Sequence, residues 1–150
     1  MTDDRAVTVS ADPALVDVEV VWQFLSTAAY WGRWRAREDV DAQVRGAWRV
    51  VGAYASGGAM VGFARAFSDG VSTAYLADVF VVPEWRGAGV ARRLLVEMID
   101  RGPGREFRWM LHTADAHGLY AGLGFQPPNR SYLERPATPE RARLVFGEEP

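Results

Sequence analysis

The sequence predicts a mixed α/β (α+β) domain, a mainly antiparallel twisted sheet of six to seven strands flanked by about four helices. Three observations carry that expectation. Runs rich in β-branched and aromatic residues at 48–54, 59–67 and 73–82 follow one another across short turns, the pattern of an antiparallel meander. The last run passes without a spacer through Pro83-Glu84-Trp85-Arg86-Gly87-Ala88-Gly89 into a stretch whose apolar residues recur at helical spacing. Strands and helices do not alternate as they would in a doubly wound parallel sheet.

Length and composition set the outer limits. At 150 residues the chain is about one domain long, so 1–150 reads as a single domain with a core of its own and 136–150 as a tail. No apolar run approaches the ~20 residues of a membrane span, and the polar start Met1-Thr2-Asp3-Asp4-Arg5 is unlike a signal peptide, which makes the cytoplasm the expected location. Cysteine is absent, which removes disulfides, zinc–thiolate sites and thiol nucleophiles, and with only His112 and His117 present no metal site is expected. The formal charge is −2 and every basic residue is arginine, so no basic surface for nucleic acid is foreseen.

Residues 6–10 alternate weakly, as an edge strand would. Asp12 and Pro13 read as N-cap and first residue of a helix whose stripe is Leu15, Val18, Val21, Trp22 and Leu25, ending near Thr27. The aromatics Tyr30, Trp31 and Trp34 follow in a segment too short and glycine-broken for a helix. A second helix is expected over 36–45, stopped by Gly46. The turn Ser56-Gly57-Gly58 joins the first two meander strands, and Asp69-Gly70 precedes the third. Arg101-Gly102-Pro103-Gly104 ends the central helix, 107–111 forms the next strand, and Ala116, Leu119, Tyr120 and Leu123 share one face of a last helix with Asp115 as N-cap and Gly124 as C-cap. Phe125 starts a strand that Pro127-Pro128 interrupts and 132–134 resumes. A short helix is expected around 140–144.

The loop after the central strand suits an anion. Val90, Ala91, Leu94, Leu95 and Met98 give the helix an apolar face, while the glycines before it leave its first N–H groups open, and the helix dipole with Arg86 and Arg92 adds positive charge. A triphosphatase loop needs a lysine, and there is none. A dinucleotide fingerprint needs glycine or alanine at 92, where arginine stands. The pattern R/Q-x-x-G-x-G/A after V-x-P is met by Val81, Pro83, Arg86, Gly89 and Ala91, and Ala116, Leu119, Tyr120, Gly124 and Phe125 fit N-x-x-A-x-x-L-Y-x-x-x-G-F. At these two segments the chain resembles the GNAT superfamily of acyl-coenzyme A-dependent N-acyltransferases, a likeness that extends from the first helix to Arg135.

The resemblance implies a splayed pair of central strands that admits the pantetheine arm, and acetyl-CoA as co-substrate for transfer of acetyl to a small-molecule amine in a ternary complex. It assigns the coenzyme to Arg86, Gly87, Ala88, Gly89, Val90, Ala91 and Arg92, to backbone groups of Val79, Phe80 and Val81, and to Thr113, which replaces the usual asparagine, and Tyr120. One backbone donor to the thioester carbonyl is worth ~2.7–4 kcal/mol in the transition state. Tyr120 is the implied general acid. A phenol of pKa near ~10 must be held close to the sulfur to serve. The glutamate that many relatives carry earlier on the central strand falls at Tyr75, so the base is sought at Asp78, with His117 next; for Asp78 a turn or bulge is an equal reading. Tyr30, Trp31, Trp34 and Asp78 are the expected acceptor contacts, which favour a small cationic amine. Relatives are often dimers, so a homodimer is in keeping with the resemblance. A non-catalytic acyl-CoA sensor and, further off, a dinucleotide-binding module stay open as alternatives.

Overall fold

The computed structural model describes residues 6–29 and 35–141. At its centre lies one five-stranded sheet whose spatial order is the chain order: β1 (Val7–Ser10), β2 (Arg49–Ala55), β3 (Met60–Ser68), β4 (Thr73–Val81) and β5 (Arg108–Met110). The first four are antiparallel neighbours, while β5 returns parallel to β4 after a helical crossover. β4, the crossover helix and β5 thus make one parallel β-α-β unit, but the other strands are antiparallel neighbours, so the sheet is not the doubly wound parallel sheet of a dinucleotide fold.

Five strands form among the described residues, not six or seven. The segment expected to start at Phe125 does not pair: the Phe125 N–H closes back onto the Tyr120 carbonyl (3.0 Å), and Pro127-Pro128 offers no N–H to a ladder. Residues 132–134 are likewise outside any strand. The helical count also differs from four, because single 3-10 turns at Pro13–Leu15 and Pro83–Trp85 and a π-helical stretch at Val96–Asp100 join the α-helices α1 (Val18–Thr27), α2 (Arg37–Arg45), α3 (Val90–Leu95) and α4 (His117–Ala121).

The helix expected from Asp12 onward is two elements. Asp12 accepts the Ala14 N–H (2.9 Å) and caps only the 3-10 turn, the chain extends at Val16, and Asp17 then caps α1 by accepting the N–H groups of Glu19 and Val20. Two aspartates five residues apart each offer a cap, and each is used. The helix expected at 140–144 runs beyond the described residues.

Helices cover both faces of the sheet. On one, Leu94, Leu95 and Met98 of α3 and its π extension pack on Val51, Ala53, Ala64, Ala66 and Leu76. On the other, Val21, Phe24 and Leu25 of α1 and Val40 of α2 meet Val50, Phe63 and Phe80. Phe24 stacks on Phe80 with ring centroids 4.1 Å apart. Each of the fully buried leucines contributes about 1.5–3 kcal/mol, enough to hold α3 against β4 and so set where the loop between them points.

Candidate active site

The sheet opens where β4 and β5 part. Their pairing ends at Tyr75↔Met110, while β4 continues to Val81, so the β4 edge facing β5 has no strand partner past Tyr75 among the described residues. A bulge sharpens the departure: Phe63 pairs with Phe80 and Arg65 with Ala77, which leaves Ala64 opposite both Asp78 and Val79. Asp78 takes the extra position in the left-handed region (φ 54°), a conformation that aspartate and asparagine tolerate better than other side-chain-bearing residues. The bulge reading of Asp78 is therefore the one realised in the backbone.

A cavity of about 400 Å³ lies at this opening. Arg35, Arg65, Phe67, Tyr75 and Asp78 line one side, and Leu111, His112, Thr113, Ala116 and Tyr120 the other. The Asp78 carboxylate is buried between two guanidinium groups. Arg35 donates from Nη2 to Oδ1 (2.6 Å) and from Nη1 to Oδ2 (2.9 Å), and Arg65 donates from Nε to Oδ2 (2.6 Å). Gln43 of α2 steadies Arg35 by accepting from Nη1 (2.5 Å). Burial pushes the Asp78 carboxyl up, but the hydrogen bonds and charges of the arginines outweigh it and hold the group below its ordinary value. A carboxylate so held has little affinity for a further proton, which makes it a poor general base and a good anchor for the bulge.

On the same wall the Tyr75 hydroxyl is hydrogen-bonded to His112 Nδ1, and His112 Nε2 lies 3.3 Å from a Glu134 carboxylate oxygen. With Nε2–H directed at Glu134, Nδ1 is the acceptor of the Tyr75 O–H. Burial, with Tyr132 and Glu134 adding to it, pushes the Tyr75 phenol above its ordinary value, so the hydroxyl keeps its proton at neutral pH.

Tyr120 is fixed from both ends of α4. Before its start the Thr113 hydroxyl accepts the Ala116 N–H (3.1 Å) and closes a turn onto Ala116, the N-cap residue; no side chain among the described residues caps α4, and Asp115, expected as the N-cap, is exposed one residue earlier. At its end the Gly124 N–H reaches Ala121 O (3.1 Å) and the Phe125 N–H reaches Tyr120 O (3.0 Å), with Gly124 at φ 92°, and the Tyr120 and Phe125 rings meet edge to face at 5.5 Å. This C-terminal motif buries the Tyr120 ring and leaves it at the cavity wall.

The loop between β4 and α3 is shaped by two glycines in the left-handed region, Gly87 (φ 80°) and Gly89 (φ 76°), with open space where their side chains would stand. Arg86 turns its Nε onto the Val81 carbonyl (3.0 Å) and so ties the loop to the strand end. None of the amides from Gly87 to Arg92 donates to another described residue. They form a row of donors, on exposed residues from Gly87 to Gly89, suited to a diphosphate, with the exposed Arg92 following. Arg93 is turned away, onto Val7 O (2.7 Å) of β1.

The opening thus brings Val79, Thr113, Tyr120 and Asp78 to one cavity, while Phe80 and Val81 have their side chains in the cores and only backbone to offer. His117 is exposed at the start of α4 and does not line the cavity, which is a poor position for a base. Tyr30, Trp31 and Trp34 lie outside the described residues. Sequence reasoning did not count Arg35, Arg65, Tyr75 or His112 among the site residues, although it placed Tyr75 where many relatives carry a glutamate. One signal was present for Arg65: a lone charge inside the apolar run 59–67 has to be paired when the strand is buried.

The family model described as Acetyltransferase (GNAT) domain matches residues 47–127. A crystal structure from Xanthomonas campestris pv. campestris, titled "a putative acetyltransferase belonging to the gnat family", is 33% identical and superposes with a TM-score of 0.83 over 95% of this chain and 98% of its own. A curated protein of Gibberella zeae named "Putative acetyltransferase FG08082" is 28% identical over 141 residues, covering 79% of this chain and 78% of that one. A GNAT-family acetyltransferase of Streptococcus pneumoniae, 22% identical with a TM-score of 0.66 over 87% of this chain and all of its own, shares the fold.

Proposed function

The chain belongs to the GNAT family of acetyltransferases, and from that premise we propose that it transfers acetyl from acetyl-CoA to the amine of a small molecule within a ternary complex. The observation that carries the reading is the row of open amides at 87–92 standing beside the parting of β4 and β5, with Tyr120 on the wall of the cavity between them. The glycine openings and free donors fit a diphosphate, and the unpaired edge of β4 fits the amides of a pantetheine arm. Acetyl-CoA supplies an acyl group already activated as a thioester, so the protein needs no covalent intermediate. What is left to the protein is to align the amine, remove its proton and stabilise charge.

The proton of the amine leaves along Tyr75 and His112. The Tyr75 oxygen accepts it while the phenolic proton moves to His112 Nδ1, and Glu134 steadies the imidazolium that results. Tyr120 gives its own phenolic proton to the departing sulfur as the new C–N bond replaces C–S. Asp78 holds Arg35 and Arg65 and the bulge, and so the shape of the opening.

A free-thiol release assay with acetyl-CoA across amino acids, polyamines, aminoglycosides and peptides tests the reading; turnover of at least one amine is expected. Gly89→Glu has open space for its side chain but strains the backbone at φ 76°, and both that strain and a carboxylate among the diphosphate donors weaken coenzyme binding, by at least tenfold together. Coenzyme binding with no turnover of any amine selects a sensor instead. A Gly89→Glu protein that binds coenzyme as the parent does refutes the loop.

A further inference from the structure

The sheet side of the cavity holds more positive charge than the carboxylate there consumes, and we propose that the acceptor is a short amino-carboxylate whose carboxylate is bound by the terminal nitrogens of Arg65. This rests on the reading of the cavity as the acceptor side of an acyl-transfer site.

Arg65 is 8% exposed and lines the cavity. Its bond to Asp78 uses Nε alone, and among the described residues Nη1 and Nη2 donate to nothing. A guanidinium has five donors and no other protonation state to retreat to, so terminal N–H groups that open into the cavity beside a buried carboxylate are placed to donate to a ligand's acceptor. Arg35 competes less, since both its terminal nitrogens already serve Asp78 and Gln43 and only its buried Nε has no partner among the described residues. Two guanidinium groups therefore face one buried carboxylate. The other acid on the cavity, Asp115, is exposed and belongs to the opposite wall, near Thr113 and Ala116. With Asp78 neutralised twice over, its charge is not available to attract a cationic group, which reverses the preference for a cationic amine that the lone aspartate suggested.

Position sets the size of the ligand. Arg65 pairs with Ala77 on β4, and its reach to Asp78 brings the guanidinium over β4 toward the gap. Neighbouring strands lie ~4.8 Å apart, so a carboxylate on Arg65 and an amine in the gap are separated by about one strand spacing. That is the span of a short amino acid. Planar, two-pronged donation suits a carboxylate better than a hydroxyl or a neutral amide.

Thermal shift of the CoA-loaded protein with matched pairs, N-acetyl amino acids against the corresponding N-acetyl amino amides, reads the preference without needing catalysis. The acids are expected to bind at least tenfold more tightly than their amides. Arg65→Lys, which keeps a charge beside Asp78 but loses the fork, is expected to erase the difference while leaving CoA affinity within twofold. Equal shifts within pairs, no shift from any member, or a preference that survives Arg65→Lys overturns the inference. The matched pairs on the unaltered protein decide the matter even if the variant does not fold. Acids preferred but no thiol released from any free amino acid would retain this site and sink the transferase reading; amines acetylated alike with and without a carboxylate would do the reverse.

Discussion

Removing the Asp78 carboxylate separates an anchor from a general base. Its side chain is 5% exposed, and those of Arg35 and Arg65 are 4% and 10% exposed. Asp78→Gly leaves two guanidinium groups desolvated and facing each other, while glycine accepts the φ of 54° without strain. Breaking a buried pair by deleting one partner costs about 3–5 kcal/mol. For a chain of this length that corresponds to a fall in Tm of roughly 6–20 °C, taking ~2–4 °C per kcal/mol. Asp78→Asn tolerates the same backbone and keeps one acceptor oxygen, so it should lose less. Urea unfolding of the three proteins, with m unchanged, measures the differences. The dependence on acid has a definite direction. Because the folded-state pKa is depressed, the contribution is fully present above the ordinary value of ~3.9 and is lost as pH falls through the lower folded value, so the parent should weaken below about pH 4 more steeply than Asp78→Gly. An Asp78→Gly protein within 1 kcal/mol of the parent refutes the anchor argument. An Asp78→Asn protein that is as stable as the parent yet catalytically dead would restore the carboxylate as the base.

Three further perturbations follow from the same geometry. Tyr120→Phe keeps the ring against Phe125 and removes only the hydroxyl, so kcat should fall about 10²–10⁴-fold with KM for acetyl-CoA little changed; parental kcat would dismiss the phenol as acid. His112→Gln breaks the hydrogen bond to Tyr75 on a half-exposed side chain, with a kcat loss of the same order expected at unchanged Tm; a parental rate would move the base elsewhere. Asp69 accepts the N–H groups of Ser72, Val71 and Thr73 in the turn before β4, which holds its carboxyl well below the usual range. Asp69→Asn should therefore be less stable at neutral pH, with the two urea midpoints converging as pH falls below about 4; parallel curves would count against the turn.

What the sequence alone determined is everything that rests on neighbours in the chain. The meander is written in residues 49–81 because β-branched runs, the turn Ser56-Gly57-Gly58 and the tight turn at Asp69-Gly70 are local, and the loop 83–92 is legible because glycine at φ near 80° serves a backbone need that few other residues meet. The α4 motif could be read for the same reason, since the Phe125 N–H bonds back to the Tyr120 carbonyl and the Gly124 N–H to the Ala121 carbonyl within six residues. The strand expected at Phe125 and again at 132–134 was misjudged because apolar and aromatic residues there do not record the presence of a partner edge: beyond Phe125 the segment is exposed, and its prolines remove donors a ladder requires. Only tertiary structure decided the chemistry of the pocket. Arg35, Arg65 and Asp78 come from a loop and two strands, 43 and 13 residues apart in the chain, and Tyr75 and His112 are 37 apart. No periodicity encodes such meetings. They arise where the bulge turns Asp78 inward and β5 leaves β4, so the charge of the site, and with it the kind of acceptor it can hold, is a property of strands placed side by side.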